Sequence, residues 1–232
     1  MPMIVLLRRL RRTALPCLLL AVLPLAALAQ TGTGGSTAPR PLEEGRDYVN
    51  IPFGAPLAPQ AGGIEVVEVF AYGCIHCYQF QPMLEAWQAR QPDDVRLVPL
   101  PAVYAANDAF ARGFFAAEAL GLLPRTHHAL FSAVHEQSLL PRGGAGYDAV
   151  ARWYAGHGAP SQAAFLAAMT SAATDEKMNQ AHAFAVRSGV EGTPTLIING
   201  KYRVRAASLR DALDIAGQLI ARERAARQRV TP

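Results

Sequence analysis

The chain has 232 residues, 51% of them hydrophobic, with 22 Lys and Arg against 18 Asp and Glu and three cysteines. The positive balance is local. Arg8, Arg9, Arg11 and Arg12 sit in the first 29 residues with no acid beside them, so setting those four aside leaves 18 basic residues against 18 acidic ones, which gives no support to a nucleic-acid or membrane-surface partner.

The four arginines open onto an apolar run, Leu15 to Leu28, that closes on Ala27-Leu28-Ala29. This is the pattern of a secretory signal peptide cut after Ala29. Read as a membrane anchor, the run has only about 14 residues, broken by Pro16 and Pro24, where a span needs about 20. Cys17 lies at the start of the run without the small residues of a lipoprotein site, and little beyond the arginine pairs fits a twin-arginine signal. Cleavage leaves 203 of the 232 residues, and Cys74 and Cys77 as the only cysteines. A link between them would close almost no loop, so it is no structural staple. Nor is there a second pair to complete a tetrahedral zinc site. Redox chemistry remains.

Residues 30–41 are rich in Thr, Gly, Ser and Pro, and the reading places a flexible leader over 30–44. Tyr48-Val49-Asn50-Ile51 reads as a short edge strand, followed by a Pro- and Gly-rich turn over 54–63. The nearly continuous apolar run from Ile64 to Phe70 suits a strand covered on both faces. Beyond Cys74-Ile75-His76-Cys77, the spacing of Phe80, Leu84 and Trp87 predicts a helix, with Pro82 expected to kink it. Residues 94–100 read as the next strand, which makes 64–100 a parallel, right-handed strand–helix–strand unit.

From Asn107 to Gly189 the chain is rich in Ala, Leu and Phe, and proline and glycine at 124, 141–146 and 156–160 divide it into helices. Phe110, Phe114 and Phe115 form a core stripe, and 175–188 reads as a longer helix ended by Gly189. Residues 195–199 and 201–205 pair as strands about the Asn199-Gly200 turn, and Ser208 caps a closing helix to Arg229. Its arginines 222, 224, 227 and 229 read as a solvated helix end. The pattern is α/β: a thioredoxin-like fold over 45–104 and 189–232, with an inserted helical domain over 105–188.

A Cys-x-x-Cys pair between a strand and a helix start is a chemical device. The helix N-terminus carries unpaired N–H groups and partial positive charge, so Cys74 there is stabilised as a thiolate. That stabilises the reduced pair and makes its disulfide the stronger oxidant. Cys77, about one turn on, is the resolving thiol. His76 between them is close enough to lower the Cys74 pKa further, although a lone histidine is more often a solvent-facing residue. Thr193-Pro194 opens a strand, where an ordinary trans proline is the common case. Beside a cysteine pair, a cis Thr193–Pro194 bond would leave the preceding backbone groups free for an extended substrate. Glu68, in an otherwise apolar strand, is expected to be desolvated, with a raised pKa, and to relay protons to Cys77. Glu65 fits a surface salt bridge better. The histidines at 127, 128, 135, 157 and 182 read as packing or surface residues.

Phe70 to Phe80, with its Cys74-Ile75-His76-Cys77 centre, resembles the active-site segment of the DsbA disulfide oxidoreductases, and Gly189 to Tyr202 resembles their cis-proline loop and hairpin. The likeness runs over about 45–225. It departs from the family's commoner pattern at Ile75, where Pro is usual, and at Thr193, where Val is frequent; both bear on redox potential and substrate preference. The resemblance implies a monomeric periplasmic enzyme, without cofactor or metal, that passes its Cys74–Cys77 disulfide to reduced, newly exported proteins. A DsbB-type membrane quinone reductase would reoxidise it. It further implies that Glu68 is the family's buried acid and that a hydrophobic groove near Pro194 holds the substrate. Two alternatives stay open: a periplasmic reductase or isomerase, although about 35 residues ahead of the core are too few for the dimerisation domain of a DsbC-type isomerase, and a thioredoxin-like chaperone with a structural disulfide.

Overall fold

The computed structural model describes residues 40–229, so the expected signal peptide and most of the leader lie outside the described residues. The strands are β1 (Tyr48–Asn50), β2 (Ile64–Phe70), β3 (Val95–Pro101), β4 (Thr195–Ile198) and β5 (Tyr202–Val204). The helices are α1 (Ile75–Gln88), α2 (Ala109–Ala119), α3 (Leu123–His135), α4 (Tyr147–Ala155), α5 (Gln162–Met169), α6 (Ala172–Arg187) and α7 (Leu209–Gln228).

The strands form one mixed sheet in the order β1-β5-β4-β2-β3. β2 and β3 are parallel, joined through α1, and every other pairing is antiparallel. All seven residues of β2 are buried, which is why its sequence is apolar almost throughout. Alternation along the strand divides the core in two. Ile64 and Val66 pack with Phe80, Leu84 and Trp87 of α1 and with Leu219 of α7. Val67 and Val69 pack with Phe114, Phe131, Phe165 and Phe184 of the helices between β3 and β4. This is the thioredoxin-like sheet, with α2 to α6 built into the β3–β4 connection.

Local chemistry sets the ends of the elements. Asp108, Ser161, Ser171 and Ser208 accept backbone N–H bonds at helix starts, each worth about 1 kcal/mol. Ser171 starts α6 three residues earlier than the apolar spacing indicates. Asn199 and Gly200 both have positive φ, 52° and 65°, as a tight hairpin turn requires. Gly200 also lies so close to Ala55 that a Cβ would come within 2.1 Å of its carbonyl. The end of the expected leader is docked: Leu42 packs against the core, and the Glu43 N–H donates to Asp47. The closing arginines are exposed or half-exposed, as a solvated helix end should be, and some of them also make defined contacts. Arg222 lies over the rings of Tyr48 and Tyr202, and Arg224 pairs with Asp94 at 2.6 Å.

Candidate active site

The site forms where β2 runs out. Phe70 is fully buried, and a turn, Ala71-Tyr72-Gly73, carries the chain to Cys74, whose N–H closes it on the Ala71 carbonyl at 3.0 Å. Two contacts from outside the turn fix it. His135, at the end of α3, donates from Nε2 to the Tyr72 carbonyl at 2.7 Å. Gly73 lies against the Arg142 carbonyl, which a Cβ would meet at 2.1 Å, so only glycine fits without displacement. The Tyr72 ring is buried against Phe131 and its hydroxyl is hydrogen-bonded to His127 at 2.8 Å. His127 is half-buried among aromatic rings, and desolvation there lowers its pKa to about 4.

Cys74 is the N-cap of α1, and the pair are free thiols. Its Sγ accepts from the Cys77 N–H at 3.4 Å and, as a thiol, donates to the Thr193 carbonyl at 3.3 Å. Its pKa is lowered to about 5, first by the hydrogen bond from the Cys77 thiol. The Thr193 side chain and the backbone N–H groups of Cys77 and His76 add to this, and partial burial opposes it. Cys77 is fully buried; its donation to Cys74 and its desolvation push its pKa up. Two sulfurs one helical turn apart therefore have opposite acid–base character.

The other expected residues gather here to different degrees. The Thr193–Pro194 bond is cis, and both residues lie beside the pair. The His76 side chain is exposed and lines the same cleft as Pro194. Glu68 is 1% exposed and faces α1, where Gln81 donates to both carboxylate oxygens at 3.1 and 3.2 Å. Its partner on β3 is Pro99, which offers no cation. Burial raises its pKa to about 8, with Gln81 opposing and Cys74 adding. Glu65 differs from the surface salt bridge expected of it. It pairs with Arg96 at 3.0 Å but is itself buried, accepting from the Leu57 and Ala58 N–H groups, and so holds the loop before β2.

Sequence reasoning missed Gln81, His135 and Arg142. Only Gln81 carried a signal: an amide four residues after Cys77, on the buried side of α1.

Two clefts share Thr193 in their walls, and one of them is also lined by Cys74. The one at Pro194, about 620 Å³, mixes Leu196 and Val204 with His76, Glu191, Arg203 and Arg205, and so differs from the hydrophobic groove expected there. The other, about 450 Å³, runs between the Tyr72–Cys74 turn, the start of α2 and the segment after α3. Among the described residues, no group of three or more His, Cys, Asp or Glu side chains is placed to hold a metal ion.

A family model, the DSBA-like thioredoxin domain, matches residues 100–215. The thiol:disulfide interchange protein DsbA of Azotobacter vinelandii is 36% identical over 211 residues, 89% of this chain and 96% of that protein. The DsbA of Pseudomonas aeruginosa is 36% identical over 186 residues, 78% of this chain and 86% of that protein. Among solved structures, the oxidoreductase DsbA from Xylella fastidiosa superposes with a TM-score of 0.76 at 43% identity, covering 79% of this chain and 98% of that one.

Proposed function

The chain belongs to the DsbA family of thiol:disulfide interchange proteins and is a thiol:disulfide oxidoreductase; from that premise we propose how its own residues carry the exchange. Cys74 is the exchanging sulfur, Cys77 the resolving one, and Thr193 and Pro194 the backbone against which the substrate lies. Glu68 is the proton source for Cys77, and His76 tunes Cys74. The redox-active Cys74–Cys77 disulfide serves in place of a cofactor.

In the oxidised protein a substrate thiolate attacks Cys74 Sγ. A substrate–Cys74 disulfide forms, the Cys74–Cys77 bond breaks, and the Cys77 sulfur takes the electron pair. Cys77 is the weaker acid, so it leaves best with a proton. Glu68, still protonated at pH 7, can supply that proton from beneath α1. A second substrate thiolate then attacks the substrate's own sulfur, and Cys74 departs as the stable thiolate. Two electrons pass from substrate to protein, and the substrate keeps the disulfide. The substrates are reduced proteins newly exported to the periplasm, which the chain reaches by losing residues 1–29. A DsbB-type membrane quinone reductase reoxidises the pair.

The observation that carries this reading is the asymmetry of the pair, with Cys74 acidic and partly accessible and Cys77 buried and basic. Three measurements test it. Cys74→Ser should abolish oxidation of a reduced substrate protein; retained activity would turn the reading to a structural disulfide. The reduction potential should lie well above thioredoxin's, roughly −270 mV; a value near that figure favours the reductase alternative. His76→Ala should raise the pH at which Cys74 alkylates half-maximally. An unchanged midpoint would assign the effect of position 76 to its backbone N–H alone.

A further inference from the structure

The 450 Å³ cleft is lined by Cys74 itself and shares only Thr193 with the His76 cleft, and its size is that of a small-ligand pocket. Its walls are made of small residues, Ala71, Ala102, Ala105, Ala109 and Ala145, with the buried Phe110 among them. Tyr104, a large aromatic left 69% exposed, also lines it.

Two side chains of opposite charge line it. Asp108 caps α2, accepting from the Phe110 and Ala111 N–H groups, and Arg142 donates to the His135 carbonyl at 3.2 Å. A carboxylate entering the cleft would meet Asp108 and a cation would meet Arg142, so neither sign of charge is favoured, whereas an apolar group would shed water against the alanines and Phe110.

We propose that this cleft is a subsite for one large aliphatic or aromatic side chain of the client protein, within two residues of its reactive cysteine. The proposal rests on Cys74 being the exchanging sulfur, and covalent geometry supplies the occupant. A disulfide to Cys74 holds the client's cysteine Cα roughly 4.4–6.8 Å from that of Cys74. The client's next residues, about 3.8 Å apart along the chain, then lie over the two clefts that meet at Thr193. One direction of the client chain leads to the mixed cleft at Pro194 and the other to this apolar one. The enzyme thus distinguishes clients by what flanks the cysteine on one side.

The test follows mixed-disulfide formation by the oxidised protein in stopped flow. Single-cysteine peptides carry either Phe or Ser at each of the positions one and two residues from the cysteine. Phe at one of those positions should give a roughly tenfold faster reaction than Ser, the advantage that partial burial of such a side chain confers. Ala105→Glu and Ala105→Trp, at an exposed position in the cleft wall, should each erase that preference, one by charge and the other by filling the space. Reduction by dithiothreitol, too small to use the cleft, should be unchanged in both variants. Equal rates for Phe and Ser peptides at every position, or a preference that survives both substitutions, overturns the proposal. If neither peptides nor dithiothreitol react at Cys74, the exchange chemistry itself is overturned.

Discussion

At the scale of single residues, the site works by placing two like groups in unlike surroundings. Cys74 sits where α1 begins and receives hydrogen bonds, whereas Cys77, three residues on, is inside the helix and gives one. Glu68 is the third member, and its position has a measurable cost. A carboxyl raised to about 8 stays protonated in the folded protein while its unfolded counterpart ionises near 4.5. The folded state then binds more protons between those values, so stability falls as pH rises from 4.5 to 8. Glu68→Gln removes that loss. The variant should be more stable than the parent by on the order of 3 kcal/mol at pH 7, with the gap closing near pH 4. Chemical denaturation across that range checks it, and a gap independent of pH would show an ordinary carboxylate. The same variant should slow release of Cys77 at neutral pH, the readout that separates a proton donor from a merely costly buried group.

Among the elements, α3 decides where the turn before Cys74 sits. Its last residue, His135, satisfies the Tyr72 carbonyl, and Arg142, beyond its end, presses its own carbonyl against Gly73. Gly73→Ala should therefore cost about 1–3 kcal/mol or more, as overpacking against rigid backbone does. It should also slow substrate oxidation by shifting Cys74. His135→Ala leaves a buried carbonyl unpaired, a loss of roughly 1–3 kcal/mol. Thermal denaturation of both variants checks these figures, and parent-like stability in either would show that the turn holds itself.

This clamp also marks how far the sequence could be read. The apolar run of β2, the Ser208 cap, the Asn199-Gly200 turn and the Cys74–Cys77 pair were legible because each is a local pattern with a local cause. His135 and Tyr72 are 63 residues apart, and nothing near either one names the other. Glu65 and Glu68 look alike in the sequence. Their surroundings separate them, since one meets two backbone N–H groups and Arg96, and the other meets only Gln81. Pro82 lies inside α1, and the helix continues through it to Gln88. Burial of Phe80, Leu84 and Trp87 against β2 and α7 holds the segment despite the missing N–H.

For the molecule as a whole, oxidising power and conformational stability are two readings of one free energy. The Cys74 thiolate is favoured only in the folded dithiol protein, so whatever drives disulfide transfer to a client must also stabilise that state against unfolding. The folded pKa is about 5 against an unfolded value near 9. This contribution is therefore fully present above pH 9, declines as pH falls and is gone below about 5. The Glu68 contribution slopes the other way over part of that range, so the parent's stability alone does not isolate it. Comparing the dithiol parent with Cys74→Ser removes most of the Glu68 contribution, because burial, the main cause of the Glu68 shift, is common to both. The melting temperature of the parent should exceed that of the variant most near pH 9, and the difference should shrink steadily to nothing by pH 5. A difference that stays flat across this range would mean that the folded chain treats the Cys74 sulfur as an ordinary thiol. The force behind the exchange would then have to come from the disulfide form instead.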